Sequence, residues 1–103
     1  MDLADLEAIL RDRLENPPPE SYAATLLADP ERTQRKIMEE AFELCLELGR
    51  RPPDLPRVAE EAADLFFHVM AGLVGAGVAL DEVRGELHAR RGGSARKGGE
   101  VGG

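Results

Sequence analysis

A chain of 103 residues with one cysteine and a formal net charge of −7 has room for one domain with a modest core. It cannot carry an internal disulfide framework, and its acidity opposes binding to a nucleic-acid backbone. It holds no apolar run long enough to span a membrane and opens on acids and a periodic pattern, not a signal peptide. These features predict a cytoplasmic protein with neither nucleic acid nor membrane as partner.

Leu3, Leu6, Leu10 and Leu14 recur at helical spacing with Asp2 available as N-cap, which predicts an amphipathic helix over 2–15 ended by Pro17-Pro18-Pro19. Residues 21–28 suit a short helix. Asp29-Pro30 is an N-cap followed by proline at the first helical position, opening a helix that runs to Leu48 and stops at Gly49. Asp54 can cap a further helix over 55–75, ending near Gly75 and Gly77. Asp81 opens a last one to about Arg91. The glycine-rich, basic tail over 92–103 is predicted to be disordered. No strand pattern competes, so the predicted fold is an all-α antiparallel helical bundle, with residues 1–91 as its domain.

Four acids stand in mirror relation about Pro52. Glu43 and Glu61 are equidistant from it, and so are Glu40 and Asp64. A chain folded back there as an antiparallel pair would bring the partners to matching heights, and three-residue spacing puts the two acids of each helix on one face. Four converging like charges are costly unless paired. A hard divalent cation resolves the conflict, and Mg²⁺ prefers carboxylate and water oxygens.

The helix over 30–48 places Lys36, Glu39, Glu40, Glu43 and Glu47 on one face and Ile37, Ala41, Leu44, Cys45 and Leu48 on the other. Alone, that pattern means a solvated acidic face over an apolar one. The following helix is apolar nearly all round, interrupted only by the stripe Glu61, Asp64 and His68. Such a helix is buried, and its acids then need a partner. Burying it takes more neighbours than this chain supplies, so the bundle is expected to be completed by homodimerisation.

The run Glu39-Glu40-x-x-Glu43, seventeen residues, then Glu61-x-x-Asp64 resembles the metal motif of the all-α nucleoside triphosphate pyrophosphatases, which include the MazG-like proteins. Within that superfamily, three stretches resemble the phosphoribosyl-ATP pyrophosphohydrolases of histidine biosynthesis. These are Pro19-Glu20-Ser21-Tyr22 with Leu26-Leu27, then residues 36–43, and then residues 60–68 together with 77–83. Met38 stands where that family usually has glycine and Phe67 where it commonly has tyrosine; the tail departs from the family's longer basic ending.

The resemblance, which spans residues 3–91, implies Mg²⁺-dependent hydrolysis of phosphoribosyl-ATP to phosphoribosyl-AMP and pyrophosphate. Glu40, Glu43, Glu61 and Asp64 would hold the metal, with Glu40 also close to the chemistry. Glu39 either orients water as a base or is a solvated acid. Lys36 either meets phosphate oxygens or pairs with Glu40. His68 supports a ligand, touches substrate, or is an internally bonded core histidine. Ser21 and Tyr22 either contact substrate or, for Ser21, cap a helix. Cys45 is expected in the core. Arg90 and Arg91 either meet phosphates or complement the helix dipole. Two other readings compete: a MazG-like pyrophosphatase acting on free nucleotides, and a non-catalytic helical interaction module whose acids are merely solvated.

Overall fold

The computed structural model describes residues 1–91. They form α1 (Leu3–Glu15), α2 (Tyr22–Leu27), α3 (Pro30–Leu48), α4 (Leu55–Ala76) and α5 (Leu80–Arg91), with no strand among the described residues. The all-α expectation holds. The expected disordered tail lies outside the described residues.

The helix ends follow from side chains that satisfy otherwise orphaned backbone groups. Asp2 accepts from Asp5 N while the Asp5 carboxylate accepts from Asp2 N, a reciprocal box at the start of α1. Asp29 and Asp54 cap α3 and α4, each with proline in the first turn. Gly77, at φ 83°, closes α4 in the left-handed region and lets Val78 N reach back to Leu73 O at 2.9 Å. The last helix differs from expectation. It begins at Leu80, one residue before Asp81, and the Leu80 N–H is met from far along the chain by Glu7 Oε2 at 2.8 Å. A local cap was not needed because α1 supplies one.

α3 and α4 share the most extensive contact in the fold and run antiparallel. Glu47 at the end of α3 meets Arg57 at the start of α4, while Ile37 and Thr33 near the start of α3 lie beside Gly72 towards the end of α4. Gly72 lets the backbones approach: a methyl group there would sit 3.3 Å from Ile37 Cδ1. Thr33 Oγ1 donates to Leu26 O at 2.8 Å, tying α2 to α3 through a buried hydrogen bond.

The core gathers Leu10 of α1, Leu26 of α2, Met70, Ala71 and Val74 of α4, and Leu80 of α5, with Leu6, Ala23, Leu27, Phe67 and Leu73 against it. It therefore surrounds the C-terminal half of α4 only. Where α1 and α2 do not reach, the helix expected to be buried all round leaves Leu55 and Phe66 more than half exposed. Helix α3 is rotated from its expected orientation. Its buried positions are Thr33, Glu40 and Glu47, with Ile37, Ala41 and Leu44 half-buried, whereas Cys45 and Leu48, expected on the inner apolar face, are exposed along with Met38, Phe42 and Leu46. Glu40 and Glu47 thus share the buried side with part of the apolar stripe, and the rest of that stripe faces out.

Two measurements check this account. Leu10 has no exposed surface, so Leu10→Ala should cost about 2–5 kcal/mol in urea unfolding. The Glu7 carboxyl is held below its ordinary value of 4.5, first by the hydrogen bond from Leu80 N and further by Arg11, against some opposing desolvation. An acid whose pKa falls on folding stabilises the fold above its unfolded value and loses that contribution as pH drops through the folded one. Glu7→Gln should therefore melt a few degrees lower than the parent at neutral pH, with the gap closing as pH falls below 4.5.

Candidate functional site

The antiparallel register brings Glu40 and Glu43 of α3 against Glu61 of α4. One carboxylate oxygen from each can be chosen so that all three lie within 4.8 Å of one another. Glu40 and Glu61 are 8% and 7% exposed and Glu43 is exposed, so the group lies at an opening, with two acids inside and one at the rim. Burial, and next the Glu43 charge, push the Glu61 carboxyl above its ordinary value, with Glu40 adding to the rise and Arg57 opposing it. Asp64, the fourth acid of the mirror, is exposed and stands outside the close trio.

The partners of the individual oxygens show how far the charges are satisfied. Glu61 Oε2 accepts from Arg57 Nη2 at 3.1 Å, and Glu40 Oε2 lies 3.7 Å from Lys36 Nζ. The other oxygen of each, Glu40 Oε1 and Glu61 Oε1, is buried without a hydrogen-bond partner. Two buried, unpartnered carboxylate oxygens on adjoining helices are expensive. A hard oxygen-seeking divalent cation matches that donor set, so the residues present fit Mg²⁺.

Beyond the trio the stripe continues in both directions. Lys36 Nζ is 3.2 Å from Glu39 Oε1, and that hydrogen bond is the main reason the ammonium is held above its usual range. Glu39 is itself exposed. His68 is buried with both ring nitrogens engaged: Nδ1 lies 2.8 Å from Asp64 O and Nε2 lies 2.9 Å from Tyr22 Oη. A carbonyl oxygen only accepts, so Nδ1 carries a proton, and in the neutral ring the Tyr22 hydroxyl donates to Nε2. Tyr22 also stacks near Phe67, their centroids 6.2 Å apart. Ser21 Oγ accepts from Ala24 N as the α2 cap. Glu20, at φ 68°, makes the tight reversal that delivers Ser21 and Tyr22 to this position, a conformation uncommon for a residue with a side chain.

Two participants were missed. Glu47 is buried, with Arg57 Nη2 3.6 Å from Oε2 and Arg50 Nε 3.1 Å from Oε1; the latter contact lacks the alignment of a hydrogen bond. Arg57 spans Glu47, Glu60 and Glu61, and those charges, Glu47 first, hold its guanidinium above its ordinary range. The signal was present in the spacing. Glu47 and Arg57 are also equidistant from Pro52, as are Lys36 and His68. Buried Glu40, Glu47 and Glu61 also remove the basis of the interaction-module reading, which required solvated acids.

The phosphoribosyl-ATP pyrophosphohydrolase family matches residues 3–91 of the chain. The chain is 39% identical over 89 residues to a phosphoribosyl-ATP pyrophosphatase of Methylobacterium nodulans, covering 85% of this chain and 81% of that protein. It is also 39% identical over 89 residues to the phosphoribosyl-ATP pyrophosphatase of Rhizobium rhizogenes, covering 85% and 84%. Similarity extends to the histidine biosynthesis trifunctional protein of Saccharomyces cerevisiae, 38% over 86 residues, where 84% of this chain matches only 10% of that much longer protein. A match over nearly every described residue, with the acids, Tyr22 and His68 inside it, settles the family: this chain is a member of the phosphoribosyl-ATP pyrophosphohydrolases.

Proposed function

We propose that this chain hydrolyses phosphoribosyl-ATP to phosphoribosyl-AMP and pyrophosphate in histidine biosynthesis, using Mg²⁺ held by Glu40, Glu43 and Glu61 with Asp64 at the rim. The observation that carries the site assignment is the pair of buried, unpartnered oxygens on Glu40 and Glu61. Phosphoanhydride cleavage depends chiefly on positioning and on neutralising phosphate oxygens. Bound Mg²⁺ supplies that neutralisation and favours ionisation of an attacking water.

The chain's own residues do the remainder. Arg57 holds Oε2 of Glu61, which fixes the carboxylate and leaves Oε1 for the metal. Lys36 stands between Glu39 and Glu40, where its ammonium can leave Glu39 for an incoming phosphate oxygen. That exchange would free Glu39, exposed at the rim, to accept the proton of the water whose oxygen bonds to phosphorus as the bond to pyrophosphate breaks; Glu40 is the alternative acceptor. His68 acts as a positioning residue, clamping the Asp64 backbone to Tyr22 and so linking the metal-bearing helix to the α2 edge, where Tyr22 contacts the substrate. Ser21 contributes by capping α2 beneath Tyr22.

The functional unit is proposed to be a homodimer. Met38, Phe42 and Leu46 of α3, with Phe66 of α4, are each more than half exposed, and a second copy would cover them. Fully burying one such side chain is worth about 1.5–3 kcal/mol. No single helix among the described residues is long and apolar enough to cross a membrane.

Turnover of phosphoribosyl-ATP should exceed that of each member of a panel of free nucleoside triphosphates; the reverse ranking would favour the MazG-like reading. Glu61→Gln should abolish Mg²⁺-dependent turnover while the metal-free fold persists. The Glu61 pKa is raised on folding, so the metal-free parent sheds stability as pH climbs from 4.5 through the folded value. The variant lacks that contribution, and its melting temperature at pH 7 should equal or surpass the parent's when both are metal-free. Near-parental turnover would remove Glu61 from the ligand set. In sedimentation the parent should run as a dimer at micromolar concentration, and Phe42→Glu should shift it towards monomer; a folded, active parent monomer would overturn the dimer.

A further inference from the structure

We infer that Arg32 is a specificity-determining residue that binds the phosphomonoester of the substrate's added ribose, at the end of the site remote from the carboxylates. The inference rests on the phosphoribosyl-ATP reading and goes beyond it, since neither the acids nor Lys36 distinguishes that substrate from ATP.

The chain has 20 acidic residues against 13 basic ones, and its helices are laced with ion pairs. On α3, Arg35 pairs with Glu31, and Lys36 with Glu39 and Glu40. Arg32, half-buried in the first turn of the same helix, pairs with no carboxylate among the described residues. Its guanidinium carbon instead lies 5.7 Å from the centroid of the Tyr22 ring. Stacking against an aromatic face holds the guanidinium plane and leaves its N–H groups available for an anion. Tyr22 is in turn fixed by its hydroxyl on His68. The backbone below is fixed too, because Arg32 N donates to the Asp29 cap. An oriented cation with no anion of its own, beside the site of a phosphate enzyme, is suited to a phosphate oxygen.

Its place on the helix selects which phosphate. Arg32, Lys36 and Glu40 follow at four-residue intervals along one broad face of α3, so Lys36 stands about 6 Å and Arg32 about 12 Å before Glu40 along the axis. Phosphoribosyl-ATP is anionic at both ends: the triphosphate that is cut, and the phosphate of the second ribose, with adenine and two sugars between them. Carboxylate-held Mg²⁺ and Lys36 would take the first. Arg32 is too far along the helix to share it and is placed for the second. ATP has no group to put there.

The test compares the parent with Arg32→Met, which keeps an unbranched stem over the Tyr22 ring, and Arg32→Lys, which keeps the charge without the fork. Calorimetric titration with phosphoribosyl-AMP and with AMP, both in Mg²⁺, isolates the added ribose phosphate without any turnover. The parent should bind phosphoribosyl-AMP roughly 10- to 100-fold more tightly than AMP, the range expected for a charge-assisted contact. Arg32→Met should abolish that ratio while leaving AMP affinity intact, and Arg32→Lys should fall between. In turnover, the Arg32→Met loss should fall on KM for phosphoribosyl-ATP more than on kcat. A ratio unchanged in Arg32→Met overturns the inference, and so does an equal weakening of both ligands, which would make Arg32 a support for Tyr22. If the parent fails to turn over phosphoribosyl-ATP, the proposed activity falls on that result alone, and the binding ratio still judges Arg32.

Discussion

Three carboxylates brought together by the antiparallel pairing of α3 and α4 are the constraint to which the rest of this structure answers. Two of them are buried with an oxygen unpartnered, an arrangement that opposes folding unless something offsets it. Arg57 meets one side of Glu61 and Lys36 one side of Glu40, so each acid is half satisfied by its own helix. The other oxygen of each is left buried without a partner. Orientation follows from the same packing: with Glu40 and Glu47 turned towards α4, Met38, Phe42 and Leu46 are left facing outward, so the geometry that gathers the acids also exposes a row of apolar side chains.

The core answers the same constraint from the opposite end. It is confined to the C-terminal half of α4, where α1, α2 and the start of α5 converge. The acidic half contributes little apolar burial within one chain. Packing at one end of a single helix and clustered charge at the other separate the residues that hold the fold from those whose charges oppose it. The bond from Thr33 to Leu26 O and the contact between His68 and Tyr22 tie α2 to both long helices, so Tyr22 is held beside the charged half by an element anchored in the core.

Much of this was legible in the sequence for local reasons. Asp2, Asp29 and Asp54 cap helices by touching atoms three residues away, and Gly77 ends one through its own backbone, so those boundaries can be read from neighbours alone. The acid trio was legible because a short turn makes antiparallel register a matter of counting from Pro52. The inward face of α3 was not. A helical wheel shows two faces without saying how far the contact is rotated between them, and burying Glu40 and Glu47 beside Ile37 and Leu44 turns Cys45 and Leu48 out of the interior where their apolar character would put them. Asp64 satisfies the count yet stays at the rim, since the count fixes height along the pair and not the rotation of each helix. The Glu7 contact with Leu80, 73 residues apart, has no local signature at all.

Gly72 gives the pair one further property. Without a side chain there, α4 lies close enough to α3 that a single methyl would meet Ile37 at 3.3 Å, a separation that has to open by a few tenths of an ångström. The atom that has to give is the tip of the Ile37 side chain, one turn before Glu40 on α3. A larger residue at 72 would therefore press on the very turn of α3 that leads into the acids, so the close approach at the packed end of the pair is felt at its charged end.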